Sequence, residues 1–66
     1  MLEQFLKRDQ VTHATGLSRS AIYAAMNAGT FPRPVRVGKT AVAWRASEVE
    51  SWQAARIAES RGNAVA

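Results

Sequence analysis

The chain has no cysteine and a single histidine, so neither a disulfide nor a thiolate zinc site can supplement its core. His13 likewise has no second imidazole with which to complete a metal centre, and no metal or other cofactor is expected. No apolar run approaches the ~20 residues that span a bilayer, which excludes a membrane helix. The first eight residues lack the long apolar stretch of a secretory signal, so a cytoplasmic protein is the default expectation. Acidic charge is scarce in one stretch in particular. Between positions 7 and 45, seven cations (Lys7, Arg8, Arg19, Arg33, Arg36, Lys39 and Arg45) face one acid, Asp9, for a local charge of +6. Residues 1–6 and 46–66 each carry −1, which brings the whole chain to +4. Charge localised in this way is an electrostatic footprint for a polyanion.

At 66 residues the chain can form one domain with one small core, at a size where burial only just outweighs chain entropy. Much of its 47% hydrophobic content is alanine, so each large apolar residue matters. The core candidates are Leu6, Val11, Leu17, Ile22, Met26, Phe31, Val35, Val37, Val42, Trp44, Val49 and Trp52.

Residues 1–6 read as an apolar lead-in folding back over the core without structure of its own. From Arg8 to Thr15, Val11 and Ala14, with Leu17 just beyond, predict a short helix. Gly16 stops it, and Leu17 packs back onto it. Ser18 is then placed to cap a second helix, Arg19 to Ala28, which buries Ile22 and Met26 and ends at Gly29. Its opposite face carries Arg19, Ser20, Tyr23, Ala24 and Asn27. Two helices joined by a short glycine turn form a helix-turn-helix that offers its second helix to a DNA major groove, or an αα-hairpin used only for packing. The helical pair alone leaves the two equal.

Pro32 and Pro34 flank Arg33, forbid helix and hold the chain extended. Val35-Arg36-Val37 and Val42-Ala43-Trp44-Arg45 then predict a β-hairpin around Gly38-Lys39-Thr40-Ala41. In this arrangement Val35, Val37, Val42 and Trp44 face inward, Arg36 and Arg45 outward, and Lys39 sits at the tip. Ser47 and Glu50 match a capping box for a third helix, Glu48 to about Glu59, burying Val49, Trp52 and Ile57. Residues 60–66 have no periodicity and are expected to fray, leaving residues 1–59 as the domain.

Other chemistries fit poorly. Gly38-Lys39-Thr40 ends like a phosphate loop, but Arg33 stands where the first glycine is required and a strand, not a helix, follows. His13 and Asp9, four apart on one helix, read as a surface ion pair. No serine has an activating partner nearby, and so small a fold has little room for a closed pocket, so an enzyme is not expected. Trp44 and Trp52 are better explained by mutual burial than as stacking platforms for single strands. The basic residues instead cluster by element: Arg19 and Ser20 at a helix start, Arg36, Lys39 and Arg45 on a hairpin. A helix for the major groove and a basic wing for the backbone or minor groove form one coherent double-stranded DNA binder.

The runs Thr15-Gly-Leu-Ser-Arg-Ser-Ala-Ile-Tyr, Gly29-Thr-Phe-Pro-Arg-Pro-Val-Arg-Val-Gly and Val42-Ala-Trp-Arg-Ala-Ser-Glu-Val-Glu-Ser-Trp resemble the AlpA family of prophage regulators. The resemblance covers about residues 5–57. It implies a mostly α fold with a small β-hairpin, the winged helix-turn-helix shared with phage excisionases and MerR-type activators. It also implies a transcriptional regulator or a recombination directionality factor of a phage or mobile element. Ser18, Arg19, Ser20 and Tyr23 would head the recognition helix, and Arg36 through Arg45, with Lys39 and Thr40, would form the wing. Ala21 and Ala24 stand where relatives often carry threonine and a basic residue, which shifts weight to Arg19, Ser20, Asn27 and the wing. Lys7 occupies the usual place of a hydroxyl cap and becomes a candidate phosphate contact, and Arg33, just before the hairpin, is a further candidate DNA-binding residue. Monomeric or weakly cooperative binding to DNA is expected, with an integrase or another phage or host protein as a further partner. The competing reading is a protein-interaction adaptor whose basic surface meets an acidic partner.

Overall fold

The computed structural model describes residues 2–65, with side chains to Gly62. Three helices pack with a three-stranded antiparallel sheet. In chain order these are β1 (Phe5–Leu6), α1 (Arg8–Thr15), α2 (Arg19–Ala28), β2 (Val35–Arg36), β3 (Val42–Arg45) and α3 (Ala46–Val65). The sheet order β1-β3-β2 places the hairpin's second strand at the centre. The fold is a winged helix-turn-helix.

Both helix stops fall where the glycines predict. Gly16 (φ 73°) and Gly29 (φ 80°) take the left-handed conformation, which L side chains avoid. At Gly29 the closure is a Schellman pattern, in which the Thr30 amide donates to the Ala25 carbonyl and the Gly29 amide to that of Met26. Ser18 caps α2 by accepting from the Ala21 amide at 3.1 Å. At α1 the cap works from the other side, because Lys7 has no hydroxyl. Its backbone amide instead donates to Gln10 Oε1 at 2.8 Å.

The core consists of Val11, Ile22, Met26, Phe31, Trp44 and Val49, with Leu6, Leu17, Ala25 and Trp52 packed around it. Trp44 is 1% exposed, and its indole N–H donates to the Pro32 carbonyl at 3.0 Å, so the largest buried side chain carries no orphaned donor. Trp52 does not pair with Trp44 as expected. Its aromatic partner is Phe31, edge-on with ring centroids 5.1 Å apart, while the Arg56 guanidinium lies 5.9 Å over its ring.

Several expectations need correction. The lead-in is partly a strand, since Phe5 pairs with Arg45 and Leu6 with Trp44. Leu6 packs on the core, whereas Leu2 and Phe5 stay exposed. Val37 and Val42 are exposed rather than inward, while Ala43 is buried. The register explains this outcome. Arg36 opposes Val42, and opposed residues share a sheet face, so Arg36, Val42 and Trp44 lie on one face and Arg45 on the other. Only Trp44 stands over the helices, and one step outward the same face runs off the core. Ile57 is also exposed, because beyond Gln53 every described side chain of α3 faces solvent. The α3 backbone nonetheless remains helical past Glu59 to Val65, with an Arg56–Glu59 pair at 3.2 Å in the turn before that stretch. The absence of apolar periodicity there reports missing packing, not missing helix. Ala66 lies outside the described residues. Asp9 and His13 form no ion pair among the described residues.

Candidate nucleic-acid interface

α2 is amphipathic by construction. Burying Ile22 and Met26 turns Arg19, Ser20, Tyr23 and Asn27 outward along the opposite side. Arg19 and Ser20 occupy the first turn, where free amides and the helix dipole already favour an anion. Among the described residues Arg19 has no ion-pair partner, and neither do Arg36 and Lys39. The hairpin closes through the Val37 amide, which donates to the Ala41 carbonyl at 3.0 Å, leaving Gly38, Lys39 and Thr40 as an exposed tip.

The remaining expected site residues divide differently. Arg33 leans back on α2, with Nη2 at 3.5 Å from the Met26 carbonyl, at the opposite end of that helix from Arg19. Arg45 is engaged elsewhere. Its Nε donates to Glu3 Oε1 at 3.3 Å and its Nη1 lies 3.8 Å from Glu48, so it ties the segment before β1 to α3. Lys7 stands at the start of α1 and shares a groove with Tyr23 and the hairpin. That open groove, of about 390 Å³, also takes in Arg8, Phe5, Val37 and Val42. Arg8 is a neighbour of the site that residue patterns did not single out. Only its place in the basic stretch hinted at it.

Glu3 was missed altogether. Its carboxylate accepts from the Ser47 hydroxyl at 2.7 Å and from the Ser47 amide at 3.1 Å, and the neighbouring Ala46 amide donates to the Gln4 carbonyl at 2.8 Å. The expected capping box of Ser47 and Glu50 is therefore replaced by a cap from the chain's beginning. These hydrogen bonds from Ser47, reinforced by Arg45, hold the Glu3 carboxyl below its ordinary pKa. A second tie runs from Gln53 Nε2 to the Ala14 carbonyl at 2.8 Å, fastening α3 to the end of α1. Together these contacts fix the helix-turn-helix against the hairpin.

The pattern of the family described as "Prophage CP4-57 regulatory protein (AlpA)" matches residues 4–57, from the lead-in strand into α3. The chain belongs to the AlpA family of prophage regulatory proteins. One relative is the uncharacterized protein ORF88 of Enterobacteria phage P4, 50% identical over 56 residues. That alignment covers 85% of this chain but 64% of the phage protein, so the chain spans a little under two thirds of the relative's length. No solved structure matches the chain. Among the described residues, no helix of this AlpA-family chain is long and apolar enough to cross a membrane.

Proposed function

We propose that this AlpA-family chain is a sequence-specific double-stranded DNA-binding protein. It acts as a transcriptional regulator, or as an excisionase-type recombination directionality factor, of a phage or mobile element. The observation that carries this reading is the pairing of two adjacent basic elements with uncommitted charge: Arg19 at the head of α2, and Arg36 with Lys39 on the wing. In this reading Arg19, Ser20, Tyr23 and Asn27 enter the major groove, while Arg36, Lys39 and Thr40 hold the flanking backbone. Ser18 sets the helix start and Lys7 adds a phosphate contact. Arg33 and Arg45 serve mainly to hold the frame, because their guanidinium groups are turned to partners within the chain.

The protein works by occupancy rather than by chemistry. One module this small grips a single half-site, so useful affinity comes from repeated sites, cooperative neighbours or an integrase bound alongside. Binding to duplex DNA across a salt series tests the reading. Affinity should fall steeply with salt, with a slope that counts phosphate contacts. Absence of duplex binding at low salt would overturn it. Selection of bound fragments from phage-bearing genomic DNA then separates the two roles, since promoter sites indicate regulation and clusters beside an attachment site indicate excision.

A further inference from the structure

Of the six exposed large hydrophobic residues among those described, four (Phe5, Tyr23, Val37 and Val42) line one groove. Scattered apolar surface needs no explanation, but four such residues converging on one concavity do. The groove lies among Phe5 of β1, Lys7 and Arg8 at the start of α1, Tyr23 of α2 and the hairpin, and the buried Trp44 also lines it. Its charged lining residues are Lys7 and Arg8, and no acid lines it. An occupant must therefore be anionic and present an apolar face.

We propose that the groove seats the sugar–phosphate edge of one DNA strand. Phosphates lie toward Lys7 and Arg8, and deoxyribose carbons lie against Phe5, Val37 and Val42. The groove thereby supplies the part of the affinity that salt does not screen. This rests on the duplex-binding reading above and deepens it. The strand is favoured over an acidic amphipathic peptide by continuity: the groove runs from Tyr23 on α2, the helix that carries Arg19, to the hairpin that carries Arg36 and Lys39, with Lys7 and Arg8 along it, so a duplex held by both elements passes across it. Electrostatic contacts weaken as counterions compete, whereas contacts between apolar carbons do not.

The test exchanges methyl for hydroxyl without changing side-chain shape or β-branching, as Val37→Thr with Val42→Thr in the full chain. Both positions are about half exposed, so the unfolding midpoint should hold. Binding of a random-sequence duplex is measured from low to moderate salt. The proposal expects affinity about tenfold lower at every salt concentration with the slope unchanged, the size set by two lost methyl burials. Should the double variant unfold, Val37→Thr alone, which lies outside both strands, carries the same test at about threefold. Unchanged affinity in a variant whose parent binds duplex would overturn the proposal and leave an acidic peptide as the occupant. A reduced slope would also overturn it, because the valines would then act only through phosphate contacts. A parent chain that fails to bind duplex at all would defeat the function itself, and this inference with it.

Discussion

The Ser47 hydroxyl donates to Glu3 Oε1 at 2.7 Å while the Ser47 amide donates to Glu3 Oε2 at 3.1 Å, so one carboxylate closes the start of α3 from 44 positions away. This bidentate cap joins the lead-in strand, the end of β3 and the long helix in one knot. Glu3→Ala should lower the thermal midpoint by roughly 5 °C, the scale of a lost helix cap in so small a fold. The pH dependence follows from the depressed pKa. A carboxyl whose folded value lies below its ordinary 4.5 stabilises fully above that ordinary value and loses its contribution as pH falls through the folded value. Thermal melts of wild type and Glu3→Gln should therefore differ at pH 7 and converge once the pH has fallen below the folded pKa. A gap that persisted to the acid end would mean that Glu3 acts through packing instead.

Arg45 occupies the same knot, which separates it from the other basic residues of the hairpin. Its Nε is 3.3 Å from Glu3 Oε1, and its register position puts it on the opposite sheet face from Arg36. Arg45→Ala should lower the unfolding midpoint by a few degrees and leave the salt slope of duplex binding unchanged. Arg36→Ala should do the reverse, holding the midpoint and reducing the slope by about one. Equal slopes lost from both variants would return Arg45 to the DNA contacts.

Gly29→Ala isolates backbone strain. An added Cβ would meet nothing within 4 Å, so the only penalty is the left-handed φ of 80° that closes α2. That penalty is about 1 kcal/mol, or a fall of roughly 5 °C in the midpoint. The turn leads into the buried Phe31, and chemical denaturation should show a lower midpoint with the same m-value. A neutral Gly29→Ala would show that the turn relaxes to an ordinary helical end.

The two tryptophans differ in burial and should differ in cost. Trp44 is 1% exposed and holds the Pro32 carbonyl, so Trp44→Phe leaves a void and an unpaired acceptor, destabilising by about 2–3 kcal/mol. Trp52 is only half-buried against Phe31, and Trp52→Phe should cost about 1 kcal/mol or less. Equilibrium urea unfolding of the two variants orders them directly. The opposite order would place the weight of the core at α3.

What the sequence disclosed follows the range of each interaction. α1 and α2 were legible to the residue because Gly16, Ser18 and Gly29 act on their own neighbours. The hairpin strands were legible from alternation, but their faces were not. Period-two reasoning places Val35 and Val37 with Val42 and Trp44, whereas the pairing of Arg36 with Val42 and of Val35 with Ala43 puts Arg36 on the Val42–Trp44 face instead. The start of α3 was misread for a related reason. Ser47 and Glu50 form a valid local cap, and a distant carboxylate took the position instead. The candidate interface divided the same way: the α2 face was visible as a helical pattern, whereas the groove joining Lys7, Tyr23 and the hairpin exists only in three dimensions.

The division of labour between α2 and the wing is the last point open to measurement. Ala21 and Ala24 contribute no polar groups to the α2 surface, and Arg19 is the one cation on that helix, so in the proposed reading it is the α2 residue to test for base recognition. A guanidinium bonded to guanine distinguishes that base by about 1–3 kcal/mol, whereas a lysine at a hairpin tip meets phosphate whatever the sequence. Arg19→Ala should therefore weaken the selected site ten- to a hundredfold while leaving random duplex within a few-fold, flattening the specificity ratio. Lys39→Ala should weaken both duplexes equally and reduce the salt slope by about one. Competition binding of the two variants on selected and random duplexes reads both effects in one assay. Parallel losses from Arg19→Ala on both duplexes would reduce it to a phosphate contact and move base recognition to Ser20, Asn27 or the wing.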